Sequence, residues 1–114
     1  MNKKTITLGG KEYAVVFNMQ AMLNYEFIAG KSFFGEDFAL LKERMALIVA
    51  TVTAADEEAE LKLTDLVNGE DIQVLKDIIT AFTVVMTLVS DFFGKPAVEP
   101  EDKSEDNEED KKKN

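Results

Sequence analysis

Cysteine and histidine are both absent from this sequence of 114 residues. Without them the chain has no disulfide framework, no thiolate chemistry and no Ser-His or Cys-His catalytic pair. A zinc site would need carboxylates alone, which is unusual. The neighbouring carboxylates Glu57–Glu58 and Glu70–Asp71 fit a solvated loop and a first helical turn. We therefore predict that the protein is not an enzyme and that it has no catalytic residues, no cofactor and no metal.

Basic residues are few relative to acidic ones. The chain has 13 lysines and arginines against 22 aspartates and glutamates, which gives a net charge of -9 and a pI near 4.5. Nucleic-acid backbones and anionic membrane surfaces both attract basic proteins, so we predict that this chain binds neither. The N-terminus lacks the apolar run of a secretory signal, and the lack of cysteine fits the cytoplasm.

The longest uncharged run is too short for a membrane span. It extends from Ile78 to Ser90, between Asp77 and Asp91, and threonines interrupt it. A spanning helix needs about 20 predominantly apolar residues. We predict that this segment lies in a protein core or an interface and not in a membrane.

The N-terminal stretch "TITLGGKEYAVVF" alternates around Gly9-Gly10 and predicts a β-hairpin, because these glycines supply the positive φ angles of a two-residue turn. Leu8 then lies opposite Lys11, and Ile6 opposite Tyr13. An isolated hairpin is marginal in water, so helices should cover its apolar face. That face carries Ile6, Leu8, Tyr13, Val15 and Phe17.

Asn18 is a favourable N-cap and Gly30 a favourable C′ residue, so they predict the limits of a first helix. A second helix is predicted from Glu36 to Val52, with Glu36 and Asp37 in its first turn. The charged and small residues of 53–62 then predict a solvated loop, and "LTDLVNG" one helical turn. The predicted packing stripes are Met19, Met22, Leu23 and Phe27 in the first helix, and Phe38, Leu41, Met45, Ile48 and Val52 in the second.

A long last helix is predicted from Glu70 to Gly94, with Asn68 or Gly69 as its cap. The charged residues 95–114 lack apolar periodicity and predict a disordered acidic tail. The fold class is therefore α+β and mostly α: an N-terminal hairpin packed on three or four helices, in one domain over residues 1–94.

The last helix carries two adjacent apolar stripes, more than an ordinary surface helix needs. It is either the central helix of the fold, or it presents part of its surface to a partner, and a mixture of the two fits the pattern best. One stripe is Ile72, Leu75, Ile79, Phe82, Met86, Val89 and Phe93, and the other is Val74, Ile78, Ala81, Val85, Leu88 and Phe92. The predicted partner-binding residues are Ile78, Phe82, Val85, Leu88, Val89 and Phe92.

The order of these elements resembles the small tail assembly chaperones of long-tailed bacteriophages and prophages. The phrases that carry the likeness are Gly10 to Tyr13, Tyr25-Glu26, Ile28 and Gly30 to Phe34, and the layout matches over residues 3–94. The resemblance implies a chaperone in the bacterial host cytoplasm that binds the helical tape-measure protein and recruits the tail tube protein. The alternatives are an oligomeric structural subunit of a tail or connector and, less favoured, an acidic mimic of nucleic acid.

Overall fold

A computed structural model of the chain describes residues 3–67 and 72–94. Within these ranges two strands, β1 (Lys3–Leu8) and β2 (Lys11–Val16), precede four helices. The helices are α1 (Met19–Ala29), α2 (Leu41–Ala55), α3 (Leu63–Val67) and α4 (Ile72–Phe92). The fold is thus a small α+β domain, and the predicted fold class is confirmed. The predicted disordered tail and the predicted cap at Asn68 or Gly69 lie outside the described residues.

The hairpin has the predicted register. Leu8 pairs with Lys11 and Ile6 with Tyr13, and both turn glycines have positive φ angles. The apolar face predicted from the alternation contacts the core, although Tyr13 is only half-buried. Local turn chemistry therefore sets the geometry of residues 3–16.

The predicted limits of α1 are confirmed. Asn18 Oδ1 accepts a hydrogen bond from Ala21 N at 2.9 Å, and Gly30 adopts the left-handed conformation with its N–H donating to Glu26 O. The predicted stripe is wrong apart from Met22, because Met19, Leu23 and Phe27 are exposed. Ala21, Met22 and Tyr25 form the buried face instead.

Helix α2 begins five residues later than predicted, at Leu41. Glu36 and Asp37 belong to the preceding connector, and the acidic residue of the first helical turn is Glu43. The chain cannot be helical earlier because Phe38 has a φ of 53°, which is outside the right-handed helical region. Leu41, predicted to be in the core, is half exposed. Phe38 is buried as predicted, but it belongs to the connector and not to α2.

The central element of the fold is α2, and not α4. Every residue from Met45 to Val52 is buried, because α1, α4 and β2 all pack against this helix. Helix α4 packs mainly on α2 and β1, which leaves part of its circumference uncovered. The alternative in which α4 is the central helix is therefore wrong. Part of α4 lies in the core and part is uncovered, and an interface with a partner on the uncovered part stays a prediction.

Candidate partner-binding surface

The two apolar stripes of α4 have different environments. Ile78, Ala81, Val85 and Leu88 of one stripe are buried against the core, and Val85 is 0% exposed. In the other stripe, the first two turns are partly uncovered, with Ile72 63%, Ile79 55% and Leu75 38% exposed. We name Ile72, Leu75 and Ile79 the α4 stripe. It is an apolar surface on a helix that the core holds in place.

Four of the six residues predicted to bind a partner lie in the core of the isolated chain. Ile78, Val85, Leu88 and Val89 are buried, so a partner that binds the folded domain does not reach them. The reason is that hydrophobic spacing identifies both stripes but not which one the other elements cover. The apolar surface of α4 that remains accessible is the α4 stripe, which lies on the neighbouring side of the helix.

The remaining two predicted residues lie in aromatic contacts. Half-buried Phe82 has its ring centroid 5.9 Å from that of Phe38, and the Arg44 guanidinium lies 5.0 Å from the Phe82 centroid. Phe92 meets Phe17 edge to face at 5.2 Å and stays about half exposed. These contacts fix the middle and the C-terminal end of α4 on the domain.

The N-terminal half of α4 is fixed by a polar contact. Asp77 Oδ2 accepts a hydrogen bond from the backbone N–H of Gly9 at 2.9 Å, and Gln73 Nε2 donates to Asp77 Oδ1 at 3.0 Å. The α4 stripe is therefore positioned by the hairpin turn as well as by the core.

By length and composition, α4 would also qualify as a membrane-spanning helix, a test that core helices of soluble proteins pass as well. Helix α4 packs on α2 and β1, and part of its apolar surface is buried there. The described part of the chain is consistent with a soluble globular protein.

A polar cluster holds the connector between α1 and α2. The Lys31 ammonium donates to Glu43 and lies 3.2 Å from Glu36 Oε2, and the Tyr25 hydroxyl donates to Glu36. Glu43 Oε1 also accepts from the Leu40 N–H at 3.1 Å. The connector is thereby tied to both flanking helices at once.

The charges of this cluster stabilise one another. The hydrogen bond from Lys31, followed by the one from the Leu40 N–H, lowers the pKa of Glu43. The bond to Glu43 raises the pKa of Lys31, and burial together with the bond to Glu36 raises the pKa of Tyr25. Glu43 is nearly fully buried, so the Lys31 ammonium compensates a carboxylate that would otherwise be costly to bury.

The same carboxylates lie close enough together to resemble a metal site. Oxygens of Glu36, Asp37 and Glu43 are all within 4.8 Å of one another. The Lys31 ammonium supplies positive charge to two of these groups. Elsewhere, the Glu26 carboxylate accepts from the Phe33 N–H at 2.9 Å. Glu26, Glu36 and Glu43 thus have structural roles in holding the connector.

Comparisons of the chain with family models, with curated proteins and with solved structures each found no match.

Proposed function

We propose that this chain is a non-enzymatic assembly chaperone that binds an amphipathic helix of a partner protein. The observation that carries the proposal is the α4 stripe, an uncovered apolar surface on an anchored helix. From the resemblance of residues 3–94 to small phage tail assembly chaperones, we propose the tape-measure protein as that partner. The tail tube protein is the second proposed partner, and the bacterial host cytoplasm the location.

The energetics of the α4 stripe support helix binding. Full burial of one fully exposed large aliphatic side chain contributes roughly 1.5–3 kcal/mol, and each residue of the α4 stripe gains the share that corresponds to its exposed fraction. The α4 stripe has three such side chains at helical spacing. An amphipathic partner helix binds through apolar residues at the same spacing, so the two surfaces match. Because loss of translational and rotational freedom offsets part of this gain, we expect reversible binding, as a chaperone that leaves the finished assembly requires.

The net charge of -9 also fits a chaperone. Mutual repulsion between copies opposes self-association, so an apolar stripe can remain available in solution. Acidic charge further favours partners that carry lysine or arginine beside their apolar face.

Co-expression with the tape-measure protein tests the proposal. We expect the intact chain to keep that protein soluble, and the double variant Ile72→Asp with Ile79→Asp to fail. The matched control, Thr80→Asp with Thr83→Asp, adds the same charge to exposed polar positions of α4 and should retain the activity. If the tape-measure protein is equally insoluble with and without this chain, the proposed function is wrong.

The α4 stripe also favours a second candidate, a structural subunit that self-associates through this surface. Light scattering on the purified protein separates the two. A permanent ring without affinity for tape-measure segments would replace the chaperone proposal, whereas a monomer or weak dimer supports it.

A further inference from the structure

A groove follows α1 and α2 on a surface that does not involve the α4 stripe. It begins with a polar cavity of about 750 Å³, which shares Asn24 and Thr53 with an apolar cavity of about 350 Å³. The apolar cavity in turn shares Ile28 and Leu63 with a third cavity of about 190 Å³. Because each cavity shares wall residues with the next, the three adjoin one another along α1 and α2, and we refer to them together as the groove.

The two ends of the groove differ in charge. Asp56, Glu57 and Glu58 line the first cavity, at the C-terminal end of α2. Lys62 lines the second cavity, and the third is lined by Lys42 together with the paired Lys31 and Glu43. The first cavity is therefore strongly negative, whereas Lys62 and Lys42 give the other two a smaller excess of positive charge.

The two helices that form the groove do not set this polarity. Gln20 of α1 and Thr53 of α2 lie at the acidic end, whereas Ala29 and Lys42 lie at the other. The helices thus run antiparallel along the groove, and their macrodipoles offset each other. The charged side chains, and not the helix dipoles, therefore determine which charge on a ligand each end of the groove attracts.

Phe27 supplies an apolar wall for the middle of the groove. Its side chain is 81% exposed, so it is not required for the core of the isolated chain. Exposed aromatic side chains beside a concave surface are frequent anchors of protein interfaces. An occupant that covers Phe27 would remove a large apolar surface from water.

We propose that this groove binds an amphipathic helix of another protein in one direction. The N-terminal end of that helix carries lysine or arginine and lies against Asp56, Glu57 and Glu58, and its apolar face covers Phe27. The positive end of the bound helix dipole then meets the carboxylates, and its negative end meets the lysines. The bound helix runs parallel to α1 and antiparallel to α2. This site is independent of the α4 stripe and of the identity of the tape-measure partner.

Two labelled synthetic peptides of about four helical turns test the proposed direction by fluorescence anisotropy. Both have the same leucine and alanine face; one has lysines in its first turn and glutamates in its last, and the other has the reverse. We expect the first to bind about fivefold more tightly, the size of effect that a few exposed charge pairs give. Its charges oppose its own dipole, so greater helicity of the free peptide cannot explain that preference.

Variants of the groove complete the test. Glu57→Lys with Glu58→Lys should reverse the peptide preference, while Glu12→Lys, on the exposed hairpin, should not. Phe27→Ala should weaken binding about tenfold. Phe34→Ala, at a similarly exposed phenylalanine outside the groove lining, should leave binding unchanged.

Two results would overturn the proposal: no binding of either peptide, or equal binding of both with no response to the Glu57 and Glu58 changes. The Ile72→Asp, Ile79→Asp variant should bind the preferred peptide normally. That result separates a failure of the groove from a failure of the chaperone function.

Discussion

Asp77 of α4 accepts a hydrogen bond from the backbone N–H of Gly9, so the turn of the hairpin is joined to a helix 68 residues away in the sequence. The contact lies at the exposed edge of the domain. The hydrogen bond links the hairpin to α4, the helix that carries the α4 stripe.

Replacing Asp77 by alanine should lower the free energy of unfolding by about 0.5–1.5 kcal/mol, the usual net contribution of one hydrogen bond. Urea denaturation followed by circular dichroism measures the change. Glu12→Ala removes the same charge from an exposed hairpin residue and is the control. Equal effects of both variants would show that charge, and not the bond to Gly9, is responsible.

Helix α4 should respond very differently to changes on its two stripes. Leu88→Ala empties a buried site and should cost about 3 kcal/mol. Ile79→Ala changes a side chain that is more than half exposed and should alter stability by less than about 1 kcal/mol. Chemical denaturation of both variants checks this, and similar losses would contradict the assignment of the covered stripe.

At Phe38, substitution by glycine should destabilise the protein less than substitution by alanine. Its positive φ of 53° is unfavourable for a residue with a Cβ, and its ring is buried. Phe38→Ala and Phe38→Gly both lose the ring, but only glycine relieves the backbone, so the glycine variant should be more stable by about 1 kcal/mol. Thermal unfolding of the pair measures the difference. An alanine variant that is the more stable would exclude a strained backbone at this position.

The Lys31–Glu43 pair predicts a loss of stability in acid. Because the pKa of Glu43 is lower in the folded chain, its contribution is complete above the ordinary glutamate pKa of 4.5 and disappears as the pH falls through the folded pKa. Glu43→Gln should therefore be less stable at neutral pH and less sensitive to acid below pH 4.5. Urea titrations at several pH values test this.

Lys31→Met should also lower stability at neutral pH, since it leaves the buried Glu43 carboxylate without its ammonium partner. Lys76→Met, at an exposed position of α4, is the control and should have little effect. If Lys31→Met is as stable as the control, the pair does not stabilise the connector.

Features set by neighbouring residues could be predicted from the sequence. The hairpin register follows from Gly9-Gly10 and the alternation around it, and Asn18 and Gly30 mark the ends of α1 through their own backbone and side-chain chemistry. Each of these depends on contacts within a few positions along the chain.

Features set by distant residues could not be predicted in this way. Tyr25 is buried because its ring packs against Phe33 and Phe38 of the connector, and Phe27, on another side of α1, stays exposed. The start of α2 depends on Phe38 and on the bonds to Glu43, although the residues before it would suit a helix. For α4, the spacing identified both stripes, but the choice between them rests on α2 and β1.

Because α2 is enclosed by the other elements, hydrogen exchange of its backbone amides reports the unfolding of the whole domain. Its backbone amides from Met45 to Val52 lie beneath α1, β2 and α4, so deuterium should enter them only when the entire fold opens. Their exchange rates therefore report global unfolding, while faster exchange in α1 or α4 would identify the layer that loosens first. A ligand that slows one outer helix without slowing α2 would reveal which surface it occupies.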